Sequence, residues 1–322
     1  MRRITVALLV LISFLFVSCS IMPDRSSQKV SILSVGLDYK DNIYRDLQGT
    51  VNDAKEVGMA LKNIYDSKGI ECDLTYMIQE EYSVSYFDDM YPNKDNVIKM
   101  IKKQNQTLDS DDLFIFFYAG HGQTGAAGEM FLATGYDSTS YSKLGITDLL
   151  NALYTLKCRS IVILDSCYSG MLDPSNPTIP GNVAGMTDPQ NGYRPNDFAS
   201  SLKTIFSKPW YNMSKITVLA SASAREVAAD GGTVILPDGL KETHGYFTVE
   251  LLNNLGWCHS NDTISYTNVD GREISVNGYS VGYKGPLSMD ELYINIMKEW
   301  NNNQQNPVLY STLESVNIIP SR

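Results

Sequence analysis

Two apolar runs, each closed by a short polar turn, constrain this chain more than anything else in it. Leu113–Tyr118 leads into Ala119-Gly120-His121-Gly122, and Ile161–Leu164 leads into Asp165-Ser166-Cys167-Tyr168-Ser169-Gly170. Runs rich in β-branched and aromatic residues that end in glycine or polar residues read as buried strands. A histidine and a cysteine therefore each lie just past the carboxyl end of a strand. In an open parallel α/β sheet, that edge is where active sites gather. If the two strands are neighbours, an imidazole and a thiol face each other across the rim of the sheet. Such a pair is the minimum equipment for nucleophilic acyl transfer.

The rest of the chain supplies a sheet for these strands to join. Val30–Leu37 and Cys72–Ile78 read as strands, as do Ile216–Ala220 and a short segment near Val308–Tyr310. Between them, Val51–Tyr65 repeats apolar residues at helical spacing, with Asn52 and Asp53 placed where amide and carboxylate side chains help cap. Asn93–Leu108, Ile146–Leu156 and Met289–Trp300 also read as helices. Strands alternating with helices predict a mostly parallel sheet covered on both faces. Two stretches break the rhythm. Met171–Lys215, rich in Pro, Gly, Asn and Asp, reads as a long mobile loop. Trp257–Gly285 reads as an insertion of short hairpins, with Asp270-Gly271 and Asn277-Gly278 as turns. No repeat or second domain stands out, so residues 30–322 are expected to form one domain.

The amino terminus reads as a targeting segment. Arg2 and Arg3 precede an apolar stretch, Ile4–Val17, and polar sequence follows Ser18-Cys19. The stretch is too short and wrongly flanked for a stable spanning helix, and residues 1–19 fit an export signal. A cysteine after a small residue at the end of the apolar core resembles a bacterial lipobox, which implies cleavage before Cys19 and lipidation of its thiol. An ordinary secretory signal is the alternative, since Phe16 stands where the lipobox pattern has leucine. Residues 20–29 would then be a polar tether, and the protein would be anchored at the bacterial cell envelope through its acyl chains. The formal net charge of −10 disfavours nucleic acid as a partner. Of five cysteines, Cys72, Cys158 and Cys258 remain once Cys19 and Cys167 are set aside. They lack CxxC spacing, so no metal site is read from them. Buried free thiols are the expected state of Cys72 and Cys158, with a disulfide between two of the three left open.

With histidine and cysteine placed on successive strands, the chain resembles the caspase-like cysteine peptidases, and more closely the metacaspases and their bacterial relatives. Phe116–Gly122 resembles that group's histidine segment and Ile163–Gly170 its cysteine segment. Val35-Gly36, Leu47-Gln48-Gly49, Asn52-Asp53-Ala54, Ala220–Ser223 and His244–Thr248 resemble other parts of its core. The resemblance implies a three-layer α/β/α sandwich. It also implies cleavage of peptide bonds after Arg or Lys by a Cys–His dyad through a thioester acyl-enzyme.

Each candidate residue carries a role and a plainer alternative. Cys167 would be the nucleophile, or else a structural cysteine. His121 would be the general base and acid. By resemblance, the backbone N–H groups of Gly122 and Cys167 would form the oxyanion hole. By the same resemblance, Asp165 would line the primary specificity pocket and pair with a basic substrate side chain, or else hold local backbone N–H groups. Asp53 and Asp46 are weaker candidates for the same pocket, and helix capping is the stronger reading for Asp53. His244, placed at the start of a helical segment, and His259, in the hairpins, have no role argued from sequence. Gln123–Gly128 lacks the acidic cluster that some calcium-dependent metacaspases carry there, which puts calcium dependence in doubt; no other cofactor is expected. By resemblance, the Met171–Lys215 loop could also hold self-processing sites. A catalytically idle binding or assembly module is the rival reading, as is the same dyad with non-basic specificity.

Overall fold

A computed structural model describes residues 28–40, 46–81, 85–124, 130–136, 141–166, 215–222, 228, 230–302, 305–310 and 316–321. Its strands are, in chain order, β1 (Val30–Leu37), β2 (Cys72–Gln79), β3 (Leu113–Gly120), β4 (Gly122–Thr124), β5 (Met130–Tyr136), β6 (Tyr141–Gly145), β7 (Arg159–Ser166), β8 (Ile216–Ala220), β9 (Asp230–Ile235), β10 (Lys241–Gly245), β11 (Trp257–Thr267), β12 (Glu273–Ser280), β13 (Leu287–Ser288), β14 (Val308–Tyr310) and β15 (Asn317–Ile319). The helices are α1 (Thr50–Ser67), α2 (Lys94–Lys103), α3 (Ile146–Tyr154), α4 (Tyr246–Asn254) and α5 (Met289–Glu299).

Six strands form the central sheet in the order β14-β8-β7-β3-β1-β2. All neighbours in it are parallel except β14, which runs antiparallel to β8 at the edge. β3 is apolar throughout and β7 over Ile161–Leu164, because both faces are covered, and the serines that interrupt β1, Ser31 and Ser34, are buried as well. Alternation then sorts their side chains between two cores. Leu113, Ile115 and Phe117 pack on one face with residues of α1, α4 and α5, such as Val57, Leu251 and Leu292. Phe114, Phe116 and Tyr118 pack on the other face with Val97 of α2 and Leu149 and Leu153 of α3. The result is three layers, and fully burying one such side chain typically contributes about 1.5–3 kcal/mol.

Several elements depart from the sequence reading. The helix expected over 93–108 ends at Lys103 and tightens into a 3₁₀ turn, Gln104–Gln106. The expected short hairpins are one long hairpin, β11–β12, turning at Asn268–Arg272. Asn277-Gly278 lies inside β12 and is no turn. Gly278 has φ 154°, and a Cβ there would stand 2.6 Å from the Trp257 ring. Glycine is thus kept at that position by close packing. Asn52 and Asp53 lie inside α1, whose N-cap is Gly49 with no side-chain cap. His244 belongs to β10; the helix begins two residues later. No helix among the described residues is long and apolar enough to cross a membrane.

Candidate active site

The pairing of β3 with β7 decides where the two motif residues meet. The strands are parallel neighbours, with Ala119 opposite Asp165 and Gly120 opposite Ser166. His121 follows β3 by one residue. Cys167 follows Ser166 by one peptide bond; it lies outside the described residues, as do Cys19 and residues 171–214 of the expected loop. The chain segments that lead to the proposed dyad thus end side by side on one edge of the sheet.

His121 is 1% exposed and is held largely through its main chain. Its N–H donates to Tyr39 Oη at 2.9 Å. Its carbonyl accepts from Tyr118 Oη at 2.9 Å and from the Ala133 N–H at 2.8 Å. The two tyrosine hydroxyls lie 3.0 Å apart, and Tyr39 also donates to the Ala133 carbonyl at 2.5 Å. The Tyr39 ring sits over the imidazole, with centroids 4.5 Å apart. Tyr39 itself has φ +60°, a left-handed conformation that costs a non-glycine residue energy and recurs at functional sites. Neither tyrosine was picked out from the sequence. Gly122 begins β4 opposite Leu132, buried at the same rim.

Asp165 and Asp53 come together on the α1–α4 side of the sheet. Asp165 is 5% exposed, and its Oδ2 accepts the Thr248 hydroxyl at 2.7 Å. Asp53, 1% exposed, accepts the Gly245 N–H, with its two oxygens 3.0 and 3.2 Å away. Its Oδ1 also lies 2.9 Å from His244 Nδ1. Gly245 separates the two carboxylates: a Cβ there would overlap Asp165 Oδ2 and stand 3.2 Å from Asp53 Oδ2. Asp53 is therefore turned across to β10 and α4, where the sequence reading favoured a cap on its own helix. The reason is its position in the fourth residue of α1, on the face that packs against these elements. Asp46 is exposed and is not brought to this group. A cleft of about 460 Å³ opens beside it, between the start of α1 and the β9–β10 hairpin, lined by Gln48, Asn52, Leu236, Leu240, Glu242 and Thr243 among others.

No metal-ligand spacing is visible along the chain, yet the fold gathers Glu56, Glu242, His244 and His259 behind Asp53. Burial, followed by the neighbouring Glu56 carboxylate, pushes the Glu242 carboxyl above its ordinary range. Gln123 and Thr124, at the start of the stretch considered for calcium, lie in β4; residues 125–129 are outside the described residues. Cys72, Cys158 and Cys258 are free thiols.

Comparison with known proteins agrees with this architecture. The profile of the caspase domain family matches residues 33–316, and the chain belongs to that family of cysteine peptidases. Metacaspase-1 of Scheffersomyces stipitis is 27% identical over 156 residues, covering 45% of this chain and 36% of that protein. The match thus spans little more than a third of the relative's length. The crystal structure of protein GSU0716 from Geobacter sulfurreducens superposes with a TM-score of 0.52 at 17% identity, covering 89% of this chain and 95% of that one. Caspase-1 from Spodoptera frugiperda superposes with a TM-score of 0.45 at 13% identity, over 88% and 86% of the two chains. The fold is the caspase-like α/β sandwich with a mostly parallel sheet.

Proposed function

We propose that the chain is a cysteine endopeptidase that cuts after Arg or Lys, with Cys167 as nucleophile and His121 as general base and acid. The observation that carries this reading is the parallel register of β3 and β7, which ends both motif segments at one edge of the sheet. His121 takes the thiol proton, and the thiolate attacks the scissile carbonyl. Backbone N–H groups of Gly122 and Cys167 receive the developing oxyanion, a contribution of about 2.7–4 kcal/mol per donor in comparable sites. Collapse of the adduct breaks the C–N bond, and His121 returns its proton to the leaving amine. A water molecule deprotonated by His121 then hydrolyses the thioester and frees the thiol.

Two buried carboxylates about one glycine favour a cationic substrate side chain. Buried charge needs a charged or hydrogen-bonded partner, and a guanidinium can meet carboxylates in bidentate fashion. Asp165 and Asp53 would share this role, Asp53 as more than the weak candidate it is in the sequence. Profiling the purified protein against peptides varied at the residue before the scissile bond tests the assignment. Turnover confined to Arg and Lys is the expected result, and equal turnover of neutral side chains would overturn it. A thiol-directed probe that labels Cys167 in wild type but not after His121→Ala separates the enzyme from an idle binding module.

The same proposal places the protein at the cell envelope, attached through acyl chains on Cys19. The support is the charged, apolar and small-residue order of residues 1–19. The wild-type protein should partition into detergent and Cys19→Ser should not. An unmodified amino terminus beyond residue 19, read by mass spectrometry, would refute lipidation.

A further inference from the structure

We propose that Glu56, Glu242, His244 and His259 form a site for a divalent transition-metal ion of the zinc type. The ligand atoms come from three elements: Glu56 from α1, Glu242 and His244 from β10, and His259 from β11. They lie within 4.8 Å of one another. Residues two apart on a strand share a face, which aims Glu242 and His244 the same way. Residues three apart share a helix face, which puts Glu56 beside Asp53.

The second observation is what burial leaves there. Glu56 is 1% exposed and His244 fully buried. Both Glu56 carboxylate oxygens, Glu242 Oε2, His244 Nε2 and both His259 ring nitrogens are buried without a hydrogen-bond partner among the described residues. The contacts inside the group are looser: His259 Nδ1 to Glu56 Oε2 is 3.3 Å, and His244 Nε2 to Glu56 Oε2 is 3.8 Å. Buried polar atoms are normally satisfied, and several orphans in one place call for an ion or water between them. Tetrahedral zinc, with bonds of about 2.0–2.2 Å, spaces its ligand atoms roughly 3.3–3.5 Å apart; the 3.3 Å pair already matches, and the others, up to 4.8 Å, would close onto the ion. Two imidazoles and two carboxylates suit zinc, whereas calcium and magnesium prefer all-oxygen sets. Two positive charges would also balance the two carboxylates.

An outer shell is already in place. Metal-bound histidines commonly donate their other ring N–H to a carboxylate, which fixes the tautomer. Asp53 occupies that position, 2.9 Å from His244 Nδ1, leaving Nε2 to the metal. Because Asp53 also holds the Gly245 N–H, the ion would brace the wall of the specificity pocket. That consequence rests on the reading under Proposed function; the site itself does not.

The test uses Cys167→Ala protein, so that the proposed dyad cannot capture metal. Chelator-stripped protein is titrated with Zn²⁺ against a chromophoric chelator, and with Co²⁺ by visible absorption. Expected are one ion per chain and a tetrahedral cobalt spectrum without a thiolate charge-transfer band. Glu56→Gln and His259→Ala should each weaken Zn²⁺ binding by more than the 10–100-fold typical of losing an outer-shell partner, and Asp53→Asn by about that amount. Melting curves of the metal-free variants identify any that fail to fold, and His259→Gln then replaces His259→Ala. The proposal is overturned by no stoichiometric binding, by a thiolate band, or by unchanged affinity in both folded ligand variants. Arginine-selective cleavage by the wild-type protein, with no metal binding in Cys167→Ala, would remove this site and keep the pocket; metal binding in Cys167→Ala without that selectivity in wild type would do the reverse.

Discussion

Two histidines in this molecule are equally buried and are held in opposite ways. Around His121 the grip falls on the main chain and on the ring face, through Tyr39, Tyr118 and Ala133. Around His244 it falls on one ring nitrogen, Nδ1, which meets Asp53 at 2.9 Å, while Nε2 lies 3.8 Å from Glu56 without a hydrogen bond among the described residues. In the proposed mechanism His121 exchanges protons with the thiol and the leaving group, whereas His244 lies among side chains that it could help to organise. Position follows the same division: His121 sits one residue beyond a central strand, and His244 within a hairpin strand that closes over α1.

The largest effects should separate these two residues. Cys167→Ala and His121→Ala should each lower kcat/KM by on the order of 10⁴-fold or more, and the double variant should fall little further, because such a pair acts as a unit. His244→Asn should retain measurable turnover; a loss as complete as that of His121→Ala would break the comparison. Next come the pocket carboxylates. Asp165→Asn and Asp53→Asn should each reduce cleavage after Arg by about 100-fold or more, roughly 3 kcal/mol, as expected when one partner of a desolvated charge pair is removed. Alkylation of Cys167 by a small neutral reagent should change far less. Equal loss in both assays would reassign these residues to holding the geometry of the site.

What the sequence revealed follows from the range of the interactions involved. The strands of the central sheet were readable because burial on both faces makes them largely apolar, and the polar strings that follow Tyr118 and Leu164 in the sequence stood out against them. His121 was picked out by its local string, and Asp165 by the family resemblance that its string carries. Asp53, His244, Gly245 and Thr248 did not, because their roles arise only when α1, β7, β10 and the start of α4 meet. Residues 53 and 244 are far apart in the chain and touch through a hydrogen bond that no periodicity announces. Tyr39 was hidden differently: an aromatic residue just past a strand looks like core, and its positive φ is invisible until the chain is folded. The Asn277-Gly278 pair misled for the converse reason. It has the composition of a turn, while the fold uses its glycine to admit Trp257.

A smaller effect sharpens the account of how His121 is held. Tyr39→Phe removes the acceptor used by the buried His121 N–H, a loss worth about 1–3 kcal/mol. Tyr118→Phe removes a donor from carbonyls that keep other donors: His121 O retains the Ala133 N–H, and Ala133 O retains Tyr39 Oη. Tyr39→Phe should therefore lower the denaturant midpoint more than Tyr118→Phe, at unchanged slope. It should also lower kcat more than it raises KM, since it disturbs the base and leaves the pocket alone. The opposite ranking would mean that the tyrosine pair acts only as core packing.

The comparison of the two histidines has a counterpart among the thiols, with the smallest expected signal. Cys72 lies at the start of β2 and Cys158 just before β7, both buried. Burial pushes the Cys72 thiol up to about 12 and the Cys158 thiol up to about 11. The thiolate is the reactive form, so at pH 8 only roughly one Cys72 in ten thousand and one Cys158 in a thousand would be ionised. Both should resist alkylation in the folded protein at neutral pH. Raising the pH increases the thiolate fraction, so any residual labelling of these two should climb about tenfold per pH unit while the protein stays folded. Cys167, in a polar turn beside His121 in the proposed site, should label fastest and without that steep rise near neutrality. Peptide-level mass spectrometry after timed iodoacetamide treatment reads each cysteine separately. If Cys72 or Cys158 were labelled as fast as Cys167 in native protein, the distinction between a thiol buried among core side chains and one placed past a strand end would fail.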